Sequence, residues 1–206
     1  MTARSRVPDG AALGVYAHSG WAAYVVLAGS AREPAIVSRG RIQLCDPGIK
    51  GSRQPYHEAE PMPFPAAEKF IARCAAVTAK LAGEAIAAIH AGTPLTGCCV
   101  LTASERPLPD LRGILASHST IHAAEGEFYR DAVAAACAER GIAVRRVRRR
   151  AMDAEMEALP VPVGDAKGRI VAFGKQVGAP WTQGEKLSAA GAWLMLASGP
   201  SRRSRR

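Results

Sequence analysis

His118, His122 and Glu125 recur at intervals of four and three residues. That spacing sets all three on one face of a helix, provided the helix begins early enough to include His118. Two histidines four apart with a carboxylate can ligate a metal ion, and His122 with Glu125 can instead form a general base and the group that orients it. The same stretch also has a purely structural reading. Ser119 or Thr120 can cap the helix, Glu125 and Glu127 suit its positive end, and Ile121, Ala124, Phe128 and Ala135 make a buried stripe. A second polar string, His18-Ser19-Gly20-Trp21, interrupts an apolar run from Ala11 to Ala28. Adjacent strand residues point to opposite faces, so Ser19 as a nucleophile needs a distant base, for which His122 is the candidate. Without that partner the string is a hairpin turn with Trp21 as a packing anchor. Pro55-Tyr56-His57-Glu58 lies in a long loop near Lys50 and Arg53, placed either to cover a pocket or grip phosphate, or simply to connect.

Charge narrows the partners. The formal net charge is +9, of which Arg202, Arg203, Arg205 and Arg206 supply four, leaving +5. Arg145, Arg146, Arg148, Arg149 and Arg150 form a second cluster at the end of an expected strand. Such clusters neutralise phosphates and release counterions, so DNA or RNA is the partner they suggest; a solvated face with a solubilising tail is the alternative. Lys186, one turn into the last expected helix, suits an anion near the helix start or a pairing with Glu125 or Glu127. The five cysteines, Cys45, Cys74, Cys98, Cys99 and Cys137, contain no C-x-x-C pair, which argues against a zinc finger and a disulfide framework and for a reducing compartment. No apolar signal core follows Arg4 and Arg6, and the longest apolar stretches fall short of the roughly 20 residues that span a bilayer. The expectation is a cytoplasmic protein that engages no membrane.

The elements that must position these residues are readable from periodicity. Ala12–Ala17 and Trp21–Leu27 form a hairpin around Ser19-Gly20, and Ala35–Leu44 is a third strand. A Pro/Gly-rich loop, Cys45–Pro63, precedes a helix that starts near Pro65 and stops at Gly92. Leu95–Ala103 reads as a strand covered on both faces, and a strong helix spans Thr120–Arg140. Ile142–Arg148 is a further strand. Helices follow over Ala151–Leu159, Asp165–Val177 and Gln183–Ala197, the last opened by a Thr182/Glu185 capping box. The order is β-β-β-α-β-α-β-α, an α/β class with one domain over 11–197 and flexible ends at 1–10 and 198–206. Right-handed crossovers then make the fourth and fifth strands parallel to the first.

The segment Leu13-Gly14-Val15-Tyr16-Ala17-His18, followed by Tyr24-Val25-Val26-Leu27, resembles the first hairpin of Holliday-junction resolvases of the ribonuclease H-like superfamily. The order of elements resembles that superfamily over residues 11 to 197. The resemblance implies a mixed sheet with helices on both faces. It also implies carboxylates on the first strand, near the fourth and on the last helix, holding two divalent ions, Mg or Mn, for in-line phosphodiester cleavage. Tyr16 stands where the first aspartate is expected. Glu105 is the match near the fourth strand, and Glu185 is the only acid on the last helix. With Glu125 they make up the candidate metal ligands. The strings His18 to Ala22, Ile121 to Glu127 and Pro180-Trp181 also resemble motifs of a bacterial protein family, a resemblance that implies no activity.

Three function classes result. The first is a ribonuclease H-like protein that binds nucleic acid and carries a degenerate or rearranged nuclease site, with His122, Glu125, Glu105 and Glu185 as the residues for metal-assisted hydrolysis. The second is a small-molecule hydrolase or transferase using His18, Ser19 and His122. The third is a non-catalytic interaction protein or homodimer.

Overall fold

The computed structural model describes residues 10–103, 107–159 and 161–198. The two ends expected to be flexible, the arginine tail included, fall outside the described residues apart from Gly10 and Ser198, and so does Glu105 after the fourth strand. Strands β1 (Ala11–His18), β2 (Trp21–Gly29) and β3 (Pro34–Gln43) form an antiparallel meander, with His18 opposite Trp21 at the turn. Strands β4 (Leu95–Thr102) and β5 (Ala143–Arg148) add parallel to β1, giving the sheet order β3-β2-β1-β4-β5. Gly20 turns the hairpin at φ +82°, and a Cβ there would lie 2.6 Å from Cys45 Sγ, so the position needs glycine on both counts.

Side-chain alternation along the strands sorts the core into two layers. Leu13, Val15, Ala17, Val26, Cys98 and Val100 are buried toward α2 (Phe64–Gly92) and α4 (His118–Ala138). Val25, Leu27, Cys99 and Leu101 are buried toward α5 (Met152–Glu157), α6 (Val163–Val177) and α7 (Gln183–Ser198). Helix α7 lies flush on β1, because Gly14 offers no side chain: a Cβ there would sit 1.8 Å from the Ser188 carbonyl oxygen. All five cysteines are free and buried, filling space as small apolar groups.

Three expectations need correction. Helix α2 is 29 residues and, by length and composition, is apolar enough to cross a bilayer, contrary to the reading of short apolar stretches. Its apolarity comes partly from alanines on its solvent side; Ala67, Ile71, Cys74, Thr78, Ala82 and Ile86 form a buried stripe. Helix α4 begins at His118, two residues early, and neither Ser119 nor Thr120 caps it. Ser117 holds the N-cap position but its Oγ meets Ser119 Oγ at 2.9 Å instead of capping a helix amide, and Thr120 Oγ1 donates back to the Ile114 and Ser117 carbonyls. The loop after β3 is also not a plain connector, since it contains α1 (Pro55–Ala59), and a second short helix, α3 (Leu111–Leu115), precedes α4.

Candidate functional site

The carboxyl ends of β1, β3, β4 and β5 and the start of β2 meet at one end of the sheet, as the pairing directions require. Helix α4 follows β4 and leads back to β5, so it starts at that end. Helix α7 starts there as well: a Cβ on Gly184 would touch His18 and Tyr16, whereas Met195 lies over Gly97. Partial positive charge at helix starts and exposed carboxyl ends of parallel strands make such an edge a place for ligands, anions first.

Two clefts lined by cationic side chains open on it, beside a third of about 480 Å³ that holds the Arg39–Glu185 pair among the described residues. One, of about 620 Å³, is lined by Ser19, Trp21, Gln43 and three cationic side chains, Arg41, Lys50 and Arg53. The other, of about 420 Å³, is lined by Tyr16, Thr102, Arg130, Arg149 and Arg150 with Leu101 and Ala103. Neither lining includes an acidic side chain among the described residues. The Trp21 ring stacks on His18 at 4.1 Å and carries the Arg41 guanidinium 3.5 Å from its centroid. Burial, then the charges of Arg41 and Arg130, hold His18 below the ordinary imidazole pKa.

Within the smaller cleft, Thr102 Oγ1 and Arg130 Nε are buried with no hydrogen-bond partner among the described residues. Arg130 is held from its other edge, where Nη1 donates to the Gly126 carbonyl and to Glu127 Oε1. Arg149 and Arg150 sit exposed on a single 3-10 turn, Arg149–Ala151, and form no ion pair among the described residues. The rest of the arginine cluster behaves differently. Arg145 pairs with Glu155, and Arg146 with Asp131 and Glu127, so much of their charge is spent inside the protein. Arg148 is partly buried. Lys186 lies on the α7 side of the sheet, beside a depression shared with Met152, Met156 and Ile170, and pairs with neither Glu125 nor Glu127.

The described residues alone do not fit a pair of hard divalent ions. Tyr16 occupies the β1 position in an arginine-lined cleft. Glu185 has both oxygens engaged: Oε2 accepts from the Thr182 N–H and hydroxyl, at 2.7 and 2.8 Å, and Oε1 pairs with Arg39 at 2.6 Å. Burial alone would raise its pKa, but the Thr182 bonds and the Arg39 charge outweigh that and hold it below the usual carboxylate range. The expected capping box is therefore present, and it uses the oxygens a metal would need.

Glu125 is elsewhere, on the opposite face of the sheet from α7 and with a different task. It is 8% exposed, and its Oε1 accepts from the Tyr56 N–H at 2.7 Å and the His57 N–H at 3.2 Å, capping α1 from α4. His57 Nδ1 also approaches Oε1, at 3.3 Å. Burial raises the Glu125 pKa, and these bonds only partly offset it. The expected role of Glu125 at the positive end of its own helix is thus corrected: it serves the start of another. Because α4 begins at His118, that residue and His122 share a face, with their Nε2 atoms 3.1 Å apart. His57 completes a trio, its ring 4.7 Å from that of His122 and 5.4 Å from that of His118. His57 was visible in the sequence only as part of a loop string.

The second expected constellation does not assemble. His18 faces α7, against Tyr16, Trp21 and Gly184, while His122 sits on α4 across the sheet. Ser19 lies in the turn, where its carbonyl accepts from Arg53 Nε. No base faces it from His122.

No protein-family model matches the sequence, and no curated protein shows a significant match. Solved structures do. RuvC of Thermus thermophilus in complex with a Holliday junction substrate superposes with a TM-score of 0.52 at 11% identity, covering 92% of this chain and 94% of that one. A second Thermus thermophilus RuvC structure gives 0.49 at 8%, covering 93% and 97%. The strand order, the helices on both faces and the first of these likenesses establish that this chain has the ribonuclease H-like α/β fold.

Proposed function

We propose that this chain binds the phosphodiester backbone of nucleic acid at the carboxyl end of its sheet, as a ribonuclease H-like protein whose nuclease centre is degenerate. The observation that carries the reading is the pair of clefts at that end. Arg41, Lys50 and Arg53 line one and Arg130, Arg149 and Arg150 the other, with no acidic side chain among the described lining residues. Cationic side chains gathered at one edge bind by neutralising phosphates and releasing counterions, whereas in-line cleavage by two metals needs several carboxylates at one point. Tyr16 provides none, and Glu185 is engaged with Thr182 and Arg39. That leaves Glu105, which falls outside the described residues, and one carboxylate cannot hold two dications. The structural likeness to a protein seen with a Holliday junction substrate makes branched and linear duplex DNA the first probes, with single-stranded DNA and RNA beside them.

The test is a salt titration of binding to these probes, run with and without Mg or Mn. The expected result is affinity that falls steeply as salt rises, with the probes left intact. Absence of binding at low ionic strength overturns the proposal. Metal-dependent cleavage abolished by Glu105→Gln overturns the degenerate-centre half of it.

A further inference from the structure

We propose that His57, His118 and His122 form a binding site for one late first-row divalent ion of the zinc class, spatially separate from the arginine-lined clefts. The three rings each present a nitrogen, and these nitrogens lie within 4.8 Å of one another. The closest pair, His118 Nε2 and His122 Nε2 at 3.1 Å, is near the ~3.3 Å edge that a tetrahedral ion with Zn–N bonds of about 2.05 Å requires. The longer separation closes by rotation of His118 and His122, whose side chains are solvent-exposed.

Coordinating imidazoles commonly turn their second ring nitrogen to a carboxylate, which fixes the ring and raises its basicity. One of the three rings has that partner within hydrogen-bond distance, and a second has a carboxylate nearby. Glu125 Oε1 stands 3.3 Å from His57 Nδ1, leaving Nε2 open for coordination, and Glu60 Oε1 stands 3.9 Å from His118 Nδ1. Glu125 also fixes the His57 backbone through the start of α1, so the buried carboxylate sets ring and main chain together. Its second oxygen, Oε2, is buried with no partner among the described residues. A group so costly to bury gains if a cation is held one ring away.

The donor set selects the metal. Three neutral imidazoles suit Zn, Co, Ni or Cu and are poor ligands for Mg or Ca, which take oxygen. Three protein ligands leave the fourth tetrahedral position to water.

Zn and Co ions are the probes, added to untagged full-length protein after chelator treatment. Calorimetry is expected to give one equivalent of Zn bound, and Co should give the intense visible absorption of a tetrahedral site. Because His118 and His122 are exposed, His118→Ala and His122→Ala keep the fold, as circular dichroism checks, and each is expected to weaken Zn binding at least 100-fold and abolish the Co spectrum. Glu125→Gln, which keeps an acceptor for the α1 amides, is expected to cost 10- to 100-fold in affinity. Failure of the wild-type protein to bind a stoichiometric ion overturns the proposal. So does binding that survives His118→Ala with His122→Ala, or a Co spectrum that is not tetrahedral.

Discussion

Replacing Arg149 and Arg150 together by alanine isolates the part of the arginine cluster that is free to meet phosphate. Both side chains line the smaller cleft, and neither is paired with an acid among the described residues. Each duplex phosphate contact contributes about 0.9 to the slope of log affinity against log salt, so the double variant should lose about 1.8 from that slope. At 0.1 M salt, relative to 1 M, the same relation gives about 8-fold per contact and about 60-fold for the two. The control is Arg145→Ala with Glu155→Ala, which removes an existing ion pair and leaves the net charge unchanged. Fluorescence anisotropy with a labelled duplex across 50–300 mM salt, a range set by the slope to be resolved, reads both. An unaltered slope in the double variant, or an equal loss in the control, refutes the assignment of the cleft as the phosphate contact.

Other outcomes follow from the same geometry. Glu185→Ala should cost about 1–3 kcal/mol at neutral pH, because it removes a capping box and a largely buried partner of Arg39. The Glu185 pKa is depressed in the fold, so this stabilisation is present above the unfolded carboxyl value and fades as pH falls through the folded one. Urea unfolding of wild type and variant should therefore converge in acid and separate toward neutrality. Glu125→Ala should remove hydrogen-exchange protection from the Tyr56 and His57 amides and cost ~2 kcal/mol, since it strips the shared acceptor from both. Gly14→Ala should destabilise by about 3 kcal/mol or more by driving a methyl into the α7 backbone. Gly83→Ala, in a helix and with nothing nearer than Arg140 at 3.9 Å, should instead gain about 0.5–1 kcal/mol in thermal melts.

Period-two alternation in Ala35–Leu44, the Ser19-Gly20 turn and the two helix-separated apolar runs were enough to read the meander and the parallel additions from the chain itself. The Thr182/Glu185 cap was legible for the same reason, being encoded within four residues. What could not be read depends on contacts between distant segments. Five-residue helices such as α1 and α3 carry too few turns to show a period. Glu125 meets His57 across 68 positions, so neither its burial nor the histidine trio leaves a local signature. The arginine string looked uniform, yet alternation along β5 and the turn after it sends Arg145 and Arg146 to acids and Arg149 and Arg150 to open solvent. Glu185 was a plausible metal ligand only while Arg39, brought by β3, was out of view.

Helix α4 carries both His122 and Arg130, eight residues and about 12 Å apart along its axis. That is too far for a shared ligand but close to one Debye length at 0.1 M salt. A dication seated on the histidines would therefore be felt by a phosphate beside Arg130 as a field, worth roughly 0.7 kcal/mol through water before screening. Ion uptake and polyanion grip would thus reinforce one another in dilute buffer and decouple in concentrated salt, with no atom of the helix needing to move.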